Sequence, residues 1–215
     1  GCVQGVFEFL GIPYTHSGVL SPALCMDKPM TKKIVALAGV PVAPEVIATR
    51  EDVQSRDGMP VPYVIKPLNE GSSVGVRIVG EGSDYQSLSD DSWIYGAEVM
   101  VEQYIPGREL TVGVLGDEAL GVTEIIPAAG FYDYTAKYAQ GEIAAAVKTY
   151  ALTAHKVLGC QGCSRSDFRW DSSKPGTSGL IFLEINTQPG MTPVSLLPEQ
   201  AQLVGLSYGA LCARL

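Results

Sequence analysis

The sequence predicts an α+β protein, on the basis of one helical pattern and two hairpin patterns. Between residues 142 and 158 apolar side chains recur at helical spacing, and Gly159 follows as a helix-terminating residue. Two pairs of apolar segments flank turn residues, as in β-hairpins, at 110–115 with 119–126 and at 164–171 with 180–186. A helix beside antiparallel strands is typical of the α+β class.

The other predicted elements are short. Pro62 and Pro67 bound an apolar strand, and Pro106-Gly107 is a suitable hinge between two subdomains. In chain order we predict helices at 5–12, 21–27 and 31–38, an extended segment at 40–47, strands at 63–66, 76–79 and 99–105, and a helix after Pro198.

Composition and charge exclude several classes of partner. The 215 residues are 46% hydrophobic, which is enough to bury a core, and carry a formal net charge of -8. An acidic chain is a poor match for nucleic acid or anionic lipid, which bind clustered Lys and Arg.

The most apolar stretch is interrupted by Pro41, Pro44 and Glu45, so no membrane-spanning helix is predicted. Because the N-terminus lacks a basic region before an apolar run, we expect a cytoplasmic protein.

The cysteines and histidines do not predict a metal cage. Cys160 and Cys163 form a C-x-x-C pair, but a structural zinc site needs a second pair. A redox pair is the alternative, although it follows Gly159 at the end of a helix, where a thiolate is not stabilised. We therefore favour buried structural thiols. His16 and His155 lie far apart in the sequence, which disfavours a His-based nucleophile.

The last hairpin brings two carboxylates together. If its loop is symmetric, Asp167 lies opposite Glu184 with Cβ atoms roughly 5 Å apart, which is unfavourable without a cation. These carboxylates and the Asn186 amide are suitable ligands for Mg2+. The alternative is that Arg165 and Arg169 neutralise an exposed acidic ladder, and strand alternation alone favours neither interpretation. The same alternation predicts a core face of Phe168, Trp170, Ile181, Leu183 and Ile185.

A Gly-rich loop at 70–76 joins two predicted strands. Its backbone N–H groups and hydroxyls can close over a polyphosphate, and Lys66 precedes it with a positive charge. Taken alone, the loop is more often an ordinary hairpin turn. Together with the acidic hairpin it indicates a nucleotide held between two sheets.

Six motifs follow one another along the chain. They are MDK at 26–28, VIKPLNEGSSVGV at 64–76, VEQYIPGRELTV at 101–112, FYDYTAKY at 131–138, RSDF at 165–168 and LEINTQPGMTPVSLLP at 183–198. Taken together and in this order, they resemble the D-alanine–D-alanine ligase family. The resemblance implies the ATP-grasp fold, in which two α+β subdomains clamp ATP. It implies three parts: the end of an N-terminal substrate subdomain at 1–27, a central subdomain at 28–105, and a C-terminal subdomain with the metal and substrate sites at 106–215.

The resemblance also implies a role for each matching residue. Lys28 and Lys66 match phosphate ligands, Glu102 and Ile105 adenine ligands, Glu109 a ribose ligand, and Asp167, Glu184 and Asn186 ligands of Mg2+ or Mn2+. Arg165 and the Gly190 N–H match groups that stabilise reaction charge, Ser195, Leu196 and Lys137 match ligands of the second D-alanine, and Ser72 and Tyr138 match a pair that latches the lid.

The implied activity is ATP-dependent joining of two D-alanines for peptidoglycan, by a cytoplasmic homodimer. Tyr138 favours the dipeptide over D-alanyl-D-lactate, since relatives that make the latter replace it. The alternatives are another ATP-grasp carboxylate–amine ligase and a non-catalytic ATP-binding module. The resemblance begins partway into the family pattern, and only Ala139, Gln140 and Gly141 separate Tyr138 from the next helix. We therefore expect that the family's N-terminal part and some of its lid loop are missing from the chain.

Overall fold

The computed structural model describes residues 1–54, 59–71, 73–82, 93–127 and 134–215. The helices are α1 Cys2–Leu10, α2 Leu20–Met26, α3 Lys28–Leu37, α4 Arg50–Gln54, α5 Gly141–Val157, α6 Leu196–Leu203 and α7 Tyr208–Ala213. The strands are β1 Glu45–Thr49, β2 Tyr63–Lys66, β3 Arg77–Val79, β4 Glu98–Gln103, β5 Arg108–Leu115, β6 Glu118–Pro127, β7 Tyr134–Tyr138, β8 Cys163–Trp170 and β9 Leu180–Asn186. Both predicted hairpins and the long helix are confirmed.

The strands form two antiparallel sheets. The first has the order β1-β4-β2-β3, and Lys66 pairs with Met100 where β2 meets β4. One face of this sheet buries a small apolar cluster of Val53, Tyr63, Ile65, Val79, Trp93, Val99 and Val101. The opposite face carries the alternate residues of β2 and β4, such as Val64 and Glu102, because strand side chains alternate between faces.

The second sheet has the order β7-β6-β5-β8-β9 and holds the larger core. Helix α5 packs its buried stripe of Ala144, Val147, Ala151 and Ala154 against one face, where Leu110 and Phe168 are completely buried. Helices α2 and α3 join this core through Cys25 and Val35. The other face carries Thr111 and Asp167, and one part of it is covered by α6.

Helix α3 begins at Lys28 and not at Thr31, so the predicted cap is wrong. Asp27 is the cap, and its carboxylate accepts a hydrogen bond of 2.9 Å from the Met30 N–H. Pro29 fits the first turn because the N–H that it lacks would have no helical partner there. The Thr31 hydroxyl instead donates to the Leu24 carbonyl at 2.6 Å.

Helix α6 likewise begins earlier than predicted, at Leu196, with Pro198 inside its first turn. The short helices α4 and α7 were not predicted. Five and six residues are too few for helical periodicity to show in the sequence.

A bulge in β9 makes part of the predicted core face wrong. Asp167 pairs with Glu184, as predicted, but Phe168 pairs with Phe182, so Leu183 is an extra residue. The alternation of core-facing and outward-facing side chains is therefore reversed in the part of β9 that precedes Glu184. Phe182 and Leu180 are completely buried, whereas Leu183 faces the cavity described below and Ile181 is only half-buried.

Candidate functional site

A cavity of about 290 Å³ lies between the two sheets, and Lys28 at the start of α3 is part of its lining. Its apolar wall includes Val64, Val74, Val76, Ile78, Ile105 and Leu183. Its ionisable wall includes Lys28, Lys66, Glu70, Glu102, Glu109, Asp167, Arg169 and Glu184. The cavity thus joins seven of the predicted site residues, namely Lys28, Lys66, Glu102, Ile105, Glu109, Asp167 and Glu184.

Glu102 is the centre of a buried ionic network on the first sheet. It is 2% exposed, and its Oε1 accepts a hydrogen bond from Lys32 Nζ at 2.5 Å while Oε2 accepts one from Lys66. Burial acts to raise the pKa of Glu102, but Lys66 and Lys32 outweigh it and lower that pKa. Because Lys66 and Lys32 hold both oxygens, Glu102 fixes the Lys66 ammonium at the cavity wall.

Lys32 was not among the predicted site residues. It is 2% exposed, lies 2.5 Å from Glu45 Oε2, and donates to the Ala43 carbonyl at 3.0 Å. One weak signal was present, since Lys32 follows Lys28 by four residues and therefore lies on the same helix face.

Lys28 connects the Gly-rich loop with the acidic hairpin. Its ammonium donates to the Glu70 carbonyl and lies 3.8 Å from Glu184 Oε2. Burial lowers the pKa of Lys28, partly offset by Glu184. A polyphosphate in the cavity would replace these contacts with stronger charge-assisted ones.

The acidic hairpin concentrates negative charge on the second sheet. Glu184 lies beside Asp167, and burial followed by repulsion from Asp167 raises the pKa of Glu184. Burial and Asp167 also raise the pKa of Glu109. Asn186 pairs in register with Arg165, and its Oδ1 accepts from the Gln188 N–H at 2.8 Å. Two facing carboxylates, with an amide oxygen two residues further along the same strand, fit a hard divalent cation.

The two arginines of β8 have different partners. Arg165 donates through Nε and Nη2 to the two oxygens of Asp167, both at 3.1 Å. Arg169 donates to the Ile105 carbonyl at 3.1 Å and the Gly107 carbonyl at 2.8 Å, and its Nη1 lies 3.7 Å from Glu109 Oε2. Arg165 therefore neutralises Asp167, whereas Arg169 supports the predicted hinge segment and pairs with a carboxylate of the neighbouring strand.

Two polar residues support Asp167 and were not predicted: Thr111 contacts it directly, and Gln200 contacts the backbone of Thr111. The Thr111 hydroxyl donates to Asp167 Oδ1 at 2.5 Å. Gln200 of α6 accepts from the Gly113 N–H at 2.6 Å and donates to the Thr111 carbonyl at 3.0 Å. No local pattern could identify them, because the Thr111 and Asp167 partners are 56 positions apart.

A second cavity, of about 690 Å³, adjoins the first one at the acidic hairpin. It is lined by Arg165, Asp167, Glu184, Asn186 and Gln188 together with residues of α1 and α2. The two cavities share Asp167 and Glu184 in their linings, so a group bound in either cavity lies beside these carboxylates.

The loop before α6 contains Gly190 and Ser195. A Cβ on Gly190 would lie 2.9 Å from Ser195 Oγ, so glycine allows this close approach. Ser195 Oγ accepts from the Thr192 N–H at 3.1 Å, and Leu196 is buried. Among the described residues, the lining of the two cavities does not include these three.

Some predicted residues cannot be placed. Ser72 lies outside the described residues, as do Phe131, Tyr132 and Asp133. The backbone of Lys137 and Tyr138 belongs to β7 and pairs with Glu124 and Thr123, but their side chains are outside the described part.

Comparison with known proteins identifies one family. Residues 34–215 match the family model described as the D-ala D-ala ligase C-terminus. The D-alanine--D-alanine ligase of Gluconobacter oxydans is 52% identical over 99% of this chain and 74% of the relative. That of Ruegeria sp. is 55% identical over 99% of the chain and 72% of the relative.

Solved structures of ligases are also similar to this chain. The D-alanine--D-alanine ligase of Bacillus anthracis complexed with ATP superposes with a TM-score of 0.82 at 30% identity, covering 100% of this chain and 72% of that one. The VanG D-Ala:D-Ser ligase of Enterococcus faecalis has a TM-score of 0.84 at 31% identity, covering 100% and 67%.

Two antiparallel sheets around a cavity lined by lysines and carboxylates, with these structural neighbours, define the ATP-grasp class of α+β proteins. The chain belongs to the D-alanine–D-alanine ligase family. In the described part of the chain, no helix is long and apolar enough to cross a bilayer.

Proposed function

We propose that the protein uses ATP to ligate two D-alanines into D-alanyl-D-alanine through a D-alanyl phosphate. The observation that carries the proposal is the juxtaposition of Asp167 and Glu184 with Lys28, which line both cavities, and with Arg165, which lines the second cavity. Relatives that are more than 50% identical over almost the whole chain carry this activity in their names. The product is a precursor of peptidoglycan, and we place the enzyme in the cytoplasm as a homodimer.

The first cavity is the proposed ATP site. Ile105 supplies a buried apolar wall for the adenine, with Glu102 beside it, and Glu109 is placed to accept from the ribose hydroxyls. Lys28 and Lys66 lie at the phosphate end, where their ammonium groups bind phosphate oxygens. The Gly-rich loop, whose Glu70 carbonyl already contacts Lys28, closes over the phosphates.

Asp167, Glu184 and Asn186 are the residues that would hold Mg2+ or Mn2+. The fit rests on the geometry of the hairpin, in which the carboxylates of Asp167 and Glu184 lie opposite each other. Burial, followed by repulsion from Asp167, raises the pKa of Glu184, and a cation between the two carboxylates would favour its charged form. When bound, the ion neutralises charge on the nucleotide phosphates.

The chain's own residues then assist two steps. The carboxylate of the first D-alanine attacks the γ-phosphorus of ATP and ADP leaves, while Lys28, Lys66 and Arg165 neutralise the phosphoryl oxygens. The amine of the second D-alanine attacks the carbonyl carbon of the acyl phosphate, and Arg165 with the Gly190 N–H stabilises the oxyanion. Inorganic phosphate then leaves, the amine loses a proton, and the dipeptide remains.

We assign the remaining roles from the family motif. Ser195, Leu196 and Lys137 bind the carboxylate of the second D-alanine, and Ser72 with Tyr138 latches the lid that excludes water. Tyr138 favours an amine over a hydroxyl acceptor, so D-alanine and not D-lactate is the second substrate.

The test is phosphate release from ATP and Mg2+ on addition of D-alanine, with L-alanine, D-serine and D-lactate in parallel. Release with D-alanine and formation of the dipeptide are expected. Release with a different amino acid would indicate another carboxylate–amine ligase, and ATP binding without release would indicate a non-catalytic module.

A further inference from the structure

One arginine of β8 contacts two different parts of the lining of the first cavity. Arg169 Nε donates to the Ile105 carbonyl at 3.1 Å, and Nη2 donates to the Gly107 carbonyl at 2.8 Å. Its Nη1 lies 3.7 Å from Glu109 Oε2. Because Arg169, Ile105 and Glu109 all line the cavity, one guanidinium joins a backbone segment and a carboxylate of the same lining.

The backbone segment, residues 104–107, is the linker between the two sheets. It follows β4 of the first sheet and precedes β5 of the second. Gly107 brings the linker close to β8, since its φ is 99° and a Cβ there would lie 2.2 Å from the Trp170 carbonyl oxygen. Arg169, on the same strand, holds two carbonyls of this linker. Contacts with the second sheet therefore fix the position of the linker.

The same guanidinium also holds Glu109. The two residues pair in register where β5 meets β8. Burial and Asp167 raise the pKa of Glu109, and Arg169 acts against them by favouring the charged carboxylate. Because a guanidinium is planar and its donors have fixed directions, Arg169 keeps the linker and this carboxylate at a constant separation.

We propose that Arg169 is a positioning residue that selects ribonucleotides by holding Ile105 and Glu109 in place. Ile105 is the proposed wall for the adenine, and Glu109 is the proposed acceptor for the ribose hydroxyls, so this inference rests on the proposed function. A charged Glu109 can only accept hydrogen bonds, and the two ribose hydroxyls can donate them. A dideoxyribose lacks both donors and should bind more weakly.

The test compares the wild-type protein with Arg169→Met, which removes the guanidinium donors and keeps a long side chain. Calorimetry in the presence of Mg2+ measures the affinities for ATP, dideoxy-ATP and inorganic tripolyphosphate. The wild-type protein should bind ATP at least about tenfold more tightly than dideoxy-ATP, because hydrogen bonds to a charged group are strong. In Arg169→Met, the ATP affinity should fall by about tenfold and the preference for ATP to about twofold, because a displaced positioning group is costly. The tripolyphosphate affinity should be unchanged.

Two further variants serve as controls. Arg214→Met removes an exposed arginine that pairs with Glu118, and its three affinities should equal those of the wild-type protein. Glu109→Gln should lose the preference for ATP over dideoxy-ATP. Adding Arg169→Met to Glu109→Gln should then leave the remaining preference unchanged, because the arginine acts on the ribose through Glu109.

Three results would overturn the inference. They are a wild-type protein that binds ATP and dideoxy-ATP equally, an Arg169→Met protein that keeps the wild-type preference, and an equal weakening of all three ligands in that variant. The last result would indicate a general loss of fold. A wild-type protein that binds no ATP would instead contradict the proposed function itself. Since binding needs no ligase activity, the two failures are distinguishable.

Discussion

The two walls of the proposed ATP cavity compensate carboxylate charge in different ways. On the first sheet, Glu102 lies between Lys32 and Lys66, and its pKa is lowered. On the second sheet, Arg165 pairs with Asp167, whereas Glu184 lies 3.8 Å from Lys28, and burial and Asp167 raise the pKa of Glu184. The first wall is neutralised from within the protein, and the second wall is where we propose that a divalent cation binds. We infer that the first wall positions the nucleotide and that the second stabilises charge during the reaction.

The largest effect is expected from Asp167→Asn, which removes one of the facing charges. The rate of D-alanine-dependent phosphate release at saturating substrates should fall by about 10²- to 10³-fold, because transition-state charge stabilisation is lost. Asp117→Asn is the matched control, since that carboxylate is exposed on the hairpin turn and pairs with Lys156. An unchanged rate of phosphate release by the Asp167 variant would contradict the proposal that Asp167 binds the metal ion.

On the first wall, Lys32→Met should chiefly reduce stability. It leaves Glu45 and part of Glu102 without their buried partner, so the free energy of unfolding should fall by about 3 kcal/mol. Denaturant titration of this variant and of Lys33→Met, which alters an exposed lysine of the same helix, measures the difference. Equal stability of the two variants would show that the network is not needed to neutralise this wall.

Thr111→Val tests how Asp167 is held. Loss of the 2.5 Å hydrogen bond should weaken the apparent affinity for Mg2+ by about tenfold, because supporting contacts orient ligands. Thr111→Ser keeps the hydroxyl and should restore most of the affinity. A Mg2+ titration of activity separates this positioning role from a loss of fold, which would lower the maximal rate without shifting the midpoint.

The smallest effect concerns pH. A carboxyl group with a raised folded-state pKa binds its proton more tightly in the folded protein than in the unfolded one. Without Mg2+, stability should therefore fall as pH rises from the unfolded-state pKa through the raised pKa of Glu184. Glu184→Gln should flatten that slope, as measured by urea unfolding at several pH values. A steeper slope in the variant would reverse our comparison of the walls.

Local patterns predicted the elements that bring the acidic residues together. Strand alternation and the Ser, Pro and Gly loop placed Asp167 opposite Glu184, and this register is confirmed. The same alternation predicted the wrong core-facing residues in the part of β9 that precedes Glu184. A bulge adds one residue there, and the hydrophobic pattern of the sequence does not show it. The start of α3 was predicted incorrectly because Asp27 and Thr31 are both good capping residues, and only packing selects between them.

The sequence by itself determined the α+β class, both hairpins, the long helix and, through its motifs, the family. The tertiary structure alone decided that Lys32 neutralises Glu102 across 70 positions and that Thr111 supports Asp167 across 56. The physical reason is that periodicity reports how one segment faces its own surroundings. Partners distant in sequence are selected by sheet order and helix packing, which no local pattern encodes.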